Sequence, residues 1–321
     1  MSITKTKQVS SYLRLFLWAI LVQLILVNIS AAIYAYKFTH FYEAEAKPAN
    51  GSRNFMAKTW KLFVGPTYYK QPITQTPSFP FQQVTIITHD GKMLDSWYGT
   101  ADSSKGCIVI FHGITANKQM LLDEAAALYQ KGYDILMIDL RAHGNSEGNT
   151  NSFGVDETAE VQAAVSYVQQ KGTPKIILYG VSLGAVIVMK AISDGKVQVA
   201  GVLAEMPFGT LKEHLQARAR VLGFPAEPFA SLVTFWMGVE QGYNGFAHST
   251  YAYAKRVQCP LLLQWGAKDI FVLKKETDAI YQNLAAPRKK LVIYPNANHE
   301  SLLRNDPVTW HQEIDSFMAT L

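Results

Sequence analysis

The sequence predicts an α/β fold, in which a mostly parallel eight-stranded sheet is covered by helices on both faces. Two observations predict it. Short apolar runs alternate with helical stretches along most of the chain, which is typical of strands buried on both faces of a parallel sheet. Two earlier runs, at residues 83–88 and 93–98, flank an Asp-Gly turn and therefore predict an antiparallel hairpin at the start of the sheet.

The other six strands follow in chain order, and helical stretches such as residues 119–130 and 155–170 separate them. They are predicted at residues 106–111, 134–139, 175–179, 199–204, 260–265 and 290–294. At residues 206–258 the alternation is interrupted by a long segment rich in large apolar side chains. A structureless loop of this length is uncommon, so we expect a helical cap, whose apolar residues either line a pocket or form the cap's own core.

The first 36 residues form a separate predicted module. Residues 15–36 carry no charge, and at about 1.5 Å per residue they are long enough to cross a bilayer. We interpret this segment as an uncleaved single-pass membrane anchor rather than a cleaved signal peptide or a buried helix. Because basic residues are nearly balanced on its two sides, the orientation follows the default for a short basic amino terminus, which places the folded domain outside the cytoplasm.

Residues 37–80 are rich in proline and glycine and are interpreted as a connector, with one helix expected at 55–63. Residues 81–321 form the main predicted domain.

The net charge of +5 is dispersed along the chain, so we expect no nucleic-acid partner. The eight histidines show no metal-ligand spacing, and no phosphate-binding loop is present, so neither a metal nor a cofactor is expected. Cys107 and Cys259 begin strands, and no disulfide is indicated. The sequence does not indicate the number of subunits.

Ser182 lies in the motif Gly-Val-Ser-Leu-Gly at residues 180–184, between a predicted strand and a small-and-apolar helical run. A sharp strand-turn-helix connection of this kind exposes a serine hydroxyl at the edge of a sheet. The motif alone is weak, because it occurs by chance in roughly one chain of this length in ten. A nucleophilic serine also needs a base, an acid that orients the base, and backbone donors for an oxyanion.

Candidates for these roles follow later strands in the order acid, then base. Asp269 lies in the loop after the strand at 260–265, and His299 lies in the loop after the strand at 290–294. Each residue alone has an ordinary structural explanation, such as a helix cap or a turn. Their order and placement together predict a triad with Ser182.

Glu205 also closes a predicted strand and is the second choice for the acid, with a capping or cap-domain hydrogen bond as its structural alternative. Ile114 and Leu183 are the predicted backbone oxyanion donors. We expect His112 to shape its loop rather than to transfer protons, because it precedes the serine and stands at the oxyanion position. The same expectation holds for His143.

With these residues in place, the chain from about residue 81 to its end resembles the α/β-hydrolase superfamily of serine hydrolases. The motifs that carry the resemblance are His112-Gly113, the segment at 139–146, the serine motif at 180–184, the segment at 266–269 and Asn298-His299. Within the superfamily it is most similar to the monoacylglycerol-lipase, serine-aminopeptidase and Bem46-like groups. The resemblance implies the α/β-hydrolase fold and hydrolysis of an ester, thioester or amide.

The leading hypothesis from the sequence is therefore a membrane-anchored serine hydrolase that acts on a small-molecule or lipid ester through an acyl-enzyme. A serine peptidase or amidase that uses the same triad is the second enzyme hypothesis. A non-catalytic binding protein on a hydrolase fold is the alternative from another class, since fold does not prove activity.

Overall fold

The computed structural model describes residues 2–43, 63–173, 175–223 and 225–321, with side chains described from residue 11 onward. The helices are α1 Ser2–Thr39, α2 Leu122–Gln130, α3 Thr158–Gln170, α4 Leu183–Ser193, α5 Leu211–Leu222, α6 Phe229–Gln241, α7 Thr250–Ala254, α8 Lys274–Asn283, α9 Leu302–Asn305 and α10 Pro307–Met318. The strands are β1 Phe41–Tyr42, β2 Tyr68–Tyr69, β3 Gln82–Ile87, β4 Met93–Gly99, β5 Cys107–Phe111, β6 Asp134–Ile138, β7 Ile176–Val181, β8 Gly201–Glu205, β9 Leu261–Gly266 and β10 Lys289–Tyr294.

The main sheet has eight strands in the order β10-β9-β8-β7-β5-β6-β4-β3. The hairpin of β3 and β4 is antiparallel, β4 pairs antiparallel with β6, and the other pairs are parallel. Every residue of β5, β6, β7, β8 and β9 is buried, because helices cover both faces of the sheet. This arrangement confirms the predicted fold class and all eight predicted strands.

The interruption between β8 and β9 contains α5, α6 and α7, and it forms the expected helical cap. Helix α5 begins where the Thr210 side chain accepts a hydrogen bond from the backbone N–H of Glu213, and it ends at Gly223, whose φ of 78° is left-handed. Most of the apolar residues of α5 and α6 that are buried, such as Leu215 and Val233, belong to the continuous hydrophobic core.

Helix α1 has two parts with different surroundings. Residues 11–27 are exposed along the whole helix surface, and within the described residues this helix is the one long and apolar enough to cross a membrane by length and composition. One face of its carboxyl end is buried instead, and the Tyr34 ring packs edge-on against Phe229 of α6, with 4.9 Å between centroids. Residue 36, where the sequence analysis ends the first module, therefore lies inside a helix that joins the main domain.

A second, small sheet follows α1. Strand β1 pairs in parallel with β2, so the segment directly after α1 lies beside residues 68–69 of the connector. The sequence analysis did not predict these two short strands. The helix expected at residues 55–63 falls almost wholly outside the described residues.

Candidate active site

Ser182 stands at a sharp turn between β7 and α4. Its φ of 53° is a left-handed value that non-glycine residues rarely adopt, and its backbone N–H donates to the Glu205 carbonyl at 2.8 Å. A Cβ at Gly180 would lie 2.5 Å from the backbone of Gly184 and Ala185, and one at Gly184 would lie 2.2 Å from the Phe111 carbonyl oxygen. The turn is thus tight enough to require both glycines, as in a nucleophile elbow.

Asp269 and His299 meet above the carboxyl ends of β9 and β10. Asp269 Oδ2 lies 2.7 Å from His299 Nδ1, and the aspartate side chain is fully buried whereas the imidazole is 22% exposed. Asp269 Oδ1 accepts hydrogen bonds from the backbone N–H groups of Phe271 at 2.7 Å and Val272 at 2.9 Å. These bonds fix the carboxylate, so its second oxygen holds the orientation of the imidazole ring.

Ser182 and His299 open onto one cavity of about 400 Å³. Within the described residues no hydrogen bond joins the serine hydroxyl to the imidazole, and in unliganded hydrolases such bonds commonly shorten only when substrate is bound. The cavity also has a substantial apolar wall. Its apolar residues include Ile114, Met120, Leu121, Met206, Phe271 and Val272.

Of the two predicted oxyanion donors, Leu183 directly follows the serine in the chain and Ile114 lines the same cavity as Ser182. Leu183 is the first residue of α4 and Ile114 lies in the loop after β5, and in the described chain neither backbone N–H donates to another group. The loop is held by the next residue, because the Thr115 N–H donates to His143 Nε2 at 3.3 Å. Two free donors, one of them at a helix amino terminus, suit a developing negative charge.

Comparison with known proteins agrees with this architecture. Residues 102–244 match the family model described as serine aminopeptidase, S33. The chain is similar to the esterase Pf2001 of Pyrococcus furiosus, with a TM-score of 0.65 and 23% identity over 78% of this chain and 98% of that one. The chain has the α/β-hydrolase fold, and its residues 102–244 are similar to the S33 family. The family match includes the turn at Ser182 and the loop after β5, but Asp269 and His299 lie beyond it.

Two curated relatives are similar to this protein over most of its length. The uncharacterized protein YqkD of Bacillus subtilis is 27% identical over 221 residues, which cover 67% of this chain and 71% of the relative. The uncharacterized membrane protein YNL320W of Saccharomyces cerevisiae is 23% identical over 229 residues, covering 71% and 76%.

Glu205, the second-choice acid, makes its contacts away from the imidazole. Its carboxylate accepts hydrogen bonds from the Tyr179 hydroxyl at 2.8 Å, Trp310 Nε1 at 3.1 Å and Gln264 Nε2 at 3.2 Å. Burial raises the pKa of this carboxyl to about 8, and nearby Glu124 adds to the increase. The structure thus pairs His299 with Asp269 and gives Glu205 a place in a buried hydrogen-bonding network, rather than the capping contact expected as its structural alternative.

His112 and His143 form hydrogen bonds that hold the loops after β5 and β6, as their positions in the sequence predict. His112 Nδ1 donates to the Gly113 carbonyl at 2.7 Å, and its Nε2 accepts from the Leu140 N–H at 3.1 Å. Burial lowers the pKa of His112 to about 4 and that of His143 to about 3, so both rings are neutral near pH 7. Both nitrogens of His112 are occupied by the backbone, which leaves none for proton transfer.

A buried cation, Lys118, in the segment that follows β5 was not identified from the sequence. Lys118 Nζ lies 2.5 Å from Asp95 Oδ2 and 2.6 Å from Asp139 Oδ2, and the lysine side chain is fully buried. Asp139 Oδ1 also accepts from the Lys118 backbone N–H at 2.7 Å. The network ties β4 and the loop after β6 to the segment that carries Ile114. A lone lysine before a helix carries no sequence pattern that would have revealed it.

The cap contributes polar groups to the cavity. Among the described residues from α5 to α7, those that line it are His214 and Arg218, and before α5 the apolar Met206 also lines it. The described apolar side chains of α5 and α6 are instead packed in or against the continuous core or lie at the surface, so they do not form the expected pocket wall. In the described ranges no group of three or more His, Cys, Asp or Glu side chains is arranged to hold a metal ion.

Proposed function

We propose that this protein is a serine hydrolase that cleaves carboxylic esters with an acyl or lipid-like acid portion. The observation that supports this most strongly is the 2.7 Å contact between Asp269 and His299 at the mouth of the cavity onto which Ser182 opens. A buried aspartate, an oriented imidazole and a serine on a strained turn are the parts that nucleophilic acyl transfer needs.

In the first half-reaction, Ser182 Oγ attacks the ester carbonyl. Because His299 Nδ1–H donates to Asp269, the lone pair of its Nε2 is available to accept the serine proton. The carbonyl electron pair moves onto oxygen, where the N–H groups of Leu183 and Ile114 would each stabilise the charge by about 3 kcal/mol. When the intermediate collapses, the C–O bond to the alcohol breaks and the imidazolium protonates the departing oxygen.

In the second half-reaction, water takes the place of the alcohol. Its proton passes to His299 Nε2 while its oxygen bonds to the acyl carbon, and the same oxyanion donors hold the second tetrahedral intermediate. Collapse breaks the bond to Ser182 Oγ, the serine regains its proton, and the carboxylic acid is released.

The decisive experiment is labelling of the purified protein by a fluorophosphonate probe, with Ser182→Ala as the matched control. We expect labelling of the wild type alone, together with hydrolysis of p-nitrophenyl esters whose rate depends on acyl chain length. Peptide p-nitroanilides are tested beside the esters, because the S33 family is described as serine aminopeptidases. Faster hydrolysis of the anilides than of the esters would identify a peptidase. Folded wild-type protein that neither labels nor hydrolyses either substrate class would favour a non-catalytic binding protein.

We further propose that α1 anchors the enzyme in a membrane, with its amino terminus in the cytoplasm and the hydrolase domain outside. The fully exposed apolar surface of residues 11–27 supports a lipid environment for this part of the helix. The protein should stay with membranes in alkaline carbonate, and protease added to intact cells or spheroplasts should reach the domain. Release by carbonate would contradict the anchor, and protection from protease would contradict the orientation.

A further inference from the structure

Two side chains of the cap face the cavity from one side of α5. His214 and Arg218 are one helical turn apart, at positions i and i+4, and both line the cavity that contains Ser182 and His299. His214 is only 6% exposed, and Arg218 is half-buried. The mechanism proposed above uses neither residue.

The hydrogen bond between them fixes the tautomer of His214. Arg218 Nε–H donates to His214 Nε2 at 3.3 Å, and since a guanidinium is only a donor, Nε2 must carry the lone pair. Burial, followed by the charge of Arg218, lowers the pKa of His214 well below its ordinary value, so the ring is neutral. The ring proton therefore lies on Nδ1, which donates to no acceptor within the described residues. This N–H is therefore free to donate to a ligand in the cavity that His214 lines.

The Arg218 guanidinium is held rigidly but its charge is not neutralised. Its Nη1 donates to the Tyr68 hydroxyl at 2.8 Å, and its Cζ lies 4.6 Å from the centroid of the Phe38 ring. No carboxylate of the described residues forms an ion pair with it. Arg304 also lines the cavity, but it is exposed and pairs with Asp123 at 2.7 Å.

The two acidic residues that line the cavity do not neutralise the charge of Arg218. Glu300 is exposed, and its Oε1 accepts from the Asn298 backbone N–H and the Asn305 amide. Glu205 is buried in its own hydrogen-bonding network, where a raised pKa favours its neutral form at pH 7. The cap side of the cavity thus has a net positive charge.

We infer that the Nδ1–H of His214 and the guanidinium of Arg218 bind an anionic group of the substrate, a carboxylate or a phosphate, on the cap side of the cavity. A planar guanidinium beside an N–H donor matches the oxygens of either group. The inference rests on the proposed esterase function and adds the substrate class, which is an ester that carries its own negative charge.

The test compares matched anionic and neutral esters on the same protein sample. The carboxylate pair is mono-p-nitrophenyl adipate, whose chain is too long for ready cyclisation to the anhydride, and its neutral isostere p-nitrophenyl 6-oxoheptanoate. The phosphate pair is 1-butyrylglycerol 3-phosphate and 1-butyrylglycerol. The ratio of kcat/KM within each pair is the readout, because the active fraction of a partly destabilised variant cancels from it. In at least one pair we expect the ratio of anionic to neutral ester to fall about tenfold or more in Arg218→Gln, and in the same direction in His214→Phe.

Arg220→Gln is the matched control, since Arg220 lies exposed on the same helix, and it should keep the wild-type ratios. The pair in which the ratio falls identifies the anion as carboxylate or phosphate. Ratios that stay within about twofold of the wild type in Arg218→Gln, for both pairs, overturn the inference while leaving the esterase proposal standing. Wild-type protein that hydrolyses none of the four esters and resists fluorophosphonate overturns the proposed function itself, and the inference with it.

Discussion

Replacement of Gly184 by alanine tests how the serine turn and the oxyanion loop depend on each other. A Cβ at this position would lie 2.2 Å from the Phe111 carbonyl oxygen and 2.8 Å from that of His112. Ordinary van der Waals contact begins near 3.4 Å, so the backbone must separate by roughly 1.2 Å. Both contacts are backbone atoms at the start of the loop that carries Ile114, and neither can rotate away.

A displacement of about 1 Å in a catalytic site costs on the order of 100-fold in rate, equivalent to about 2.7 kcal/mol of transition-state stabilisation. We therefore expect kcat for p-nitrophenyl acetate to fall about 100-fold in Gly184→Ala, with slower fluorophosphonate labelling in protein that still melts cooperatively. Gly113→Ala is the matched control, because its added methyl group would lie 3.4 Å from Ser182 Cβ, which is an ordinary van der Waals contact. We expect kcat of this variant to fall by less than about tenfold. A folded Gly184→Ala protein within tenfold of the wild-type kcat would refute this reasoning.

Four further perturbations have definite expected outcomes. Asp269→Asn should lower kcat by about 10⁴-fold, because the imidazole loses the acceptor that fixes its tautomer, and a comparable loss in Glu205→Gln would show that the acid is misassigned. Lys118→Met leaves the buried Asp139 carboxylate and the partly buried Asp95 carboxylate without their cation, so urea titration should show about 3–5 kcal/mol lower stability, and an unchanged midpoint would contradict the buried ion network. Phe38→Ala should cost about 3–5 kcal/mol in the same assay, whereas a loss below 1 kcal/mol would mean that α1 is not packed on the domain. The raised pKa of Glu205, about 8 against an ordinary 4.5, means that the folded state keeps a proton that the unfolded state releases, so its stabilisation is present below about pH 5 and is lost as the pH rises towards 8. The Tm of the wild type should therefore fall relative to that of Glu205→Gln between pH 5 and pH 8, and parallel Tm curves would contradict the shift.

The sheet could be predicted from the sequence because its signal is local. Buried parallel strands need continuous apolar runs, and each of the eight strands has its own run bounded by turn residues or a helical stretch. The placement of Ser182, Asp269 and His299 follows from the same logic, since the loops after parallel strands all emerge at one edge of the sheet.

Contacts between distant segments carried no such signal. The buried face at the end of α1 begins inside the uncharged run of residues 15–36, so nothing in the composition separates the exposed residues 15–27 from the buried Ala31, Tyr34 and Ala35. Lys118 and the pair of His214 and Arg218 are ordinary charged or polar residues of helical segments until the fold places them beside a cavity or a carboxylate. Their roles depend on tertiary partners more than 20 positions away in the chain, which periodicity does not encode.

The burial of the end of α1 sets where the protein can be shortened for work without detergent. Trimming after residue 36 would remove Ala31, Tyr34 and Ala35, which are core residues, and would uncover the face of α6 that holds Phe229. A soluble version should instead begin at about residue 28, because side chains 11–27 are all exposed and their removal opens no part of the interior. The folded domain therefore begins inside the apolar helix, about two helical turns before the uncharged run ends at residue 36.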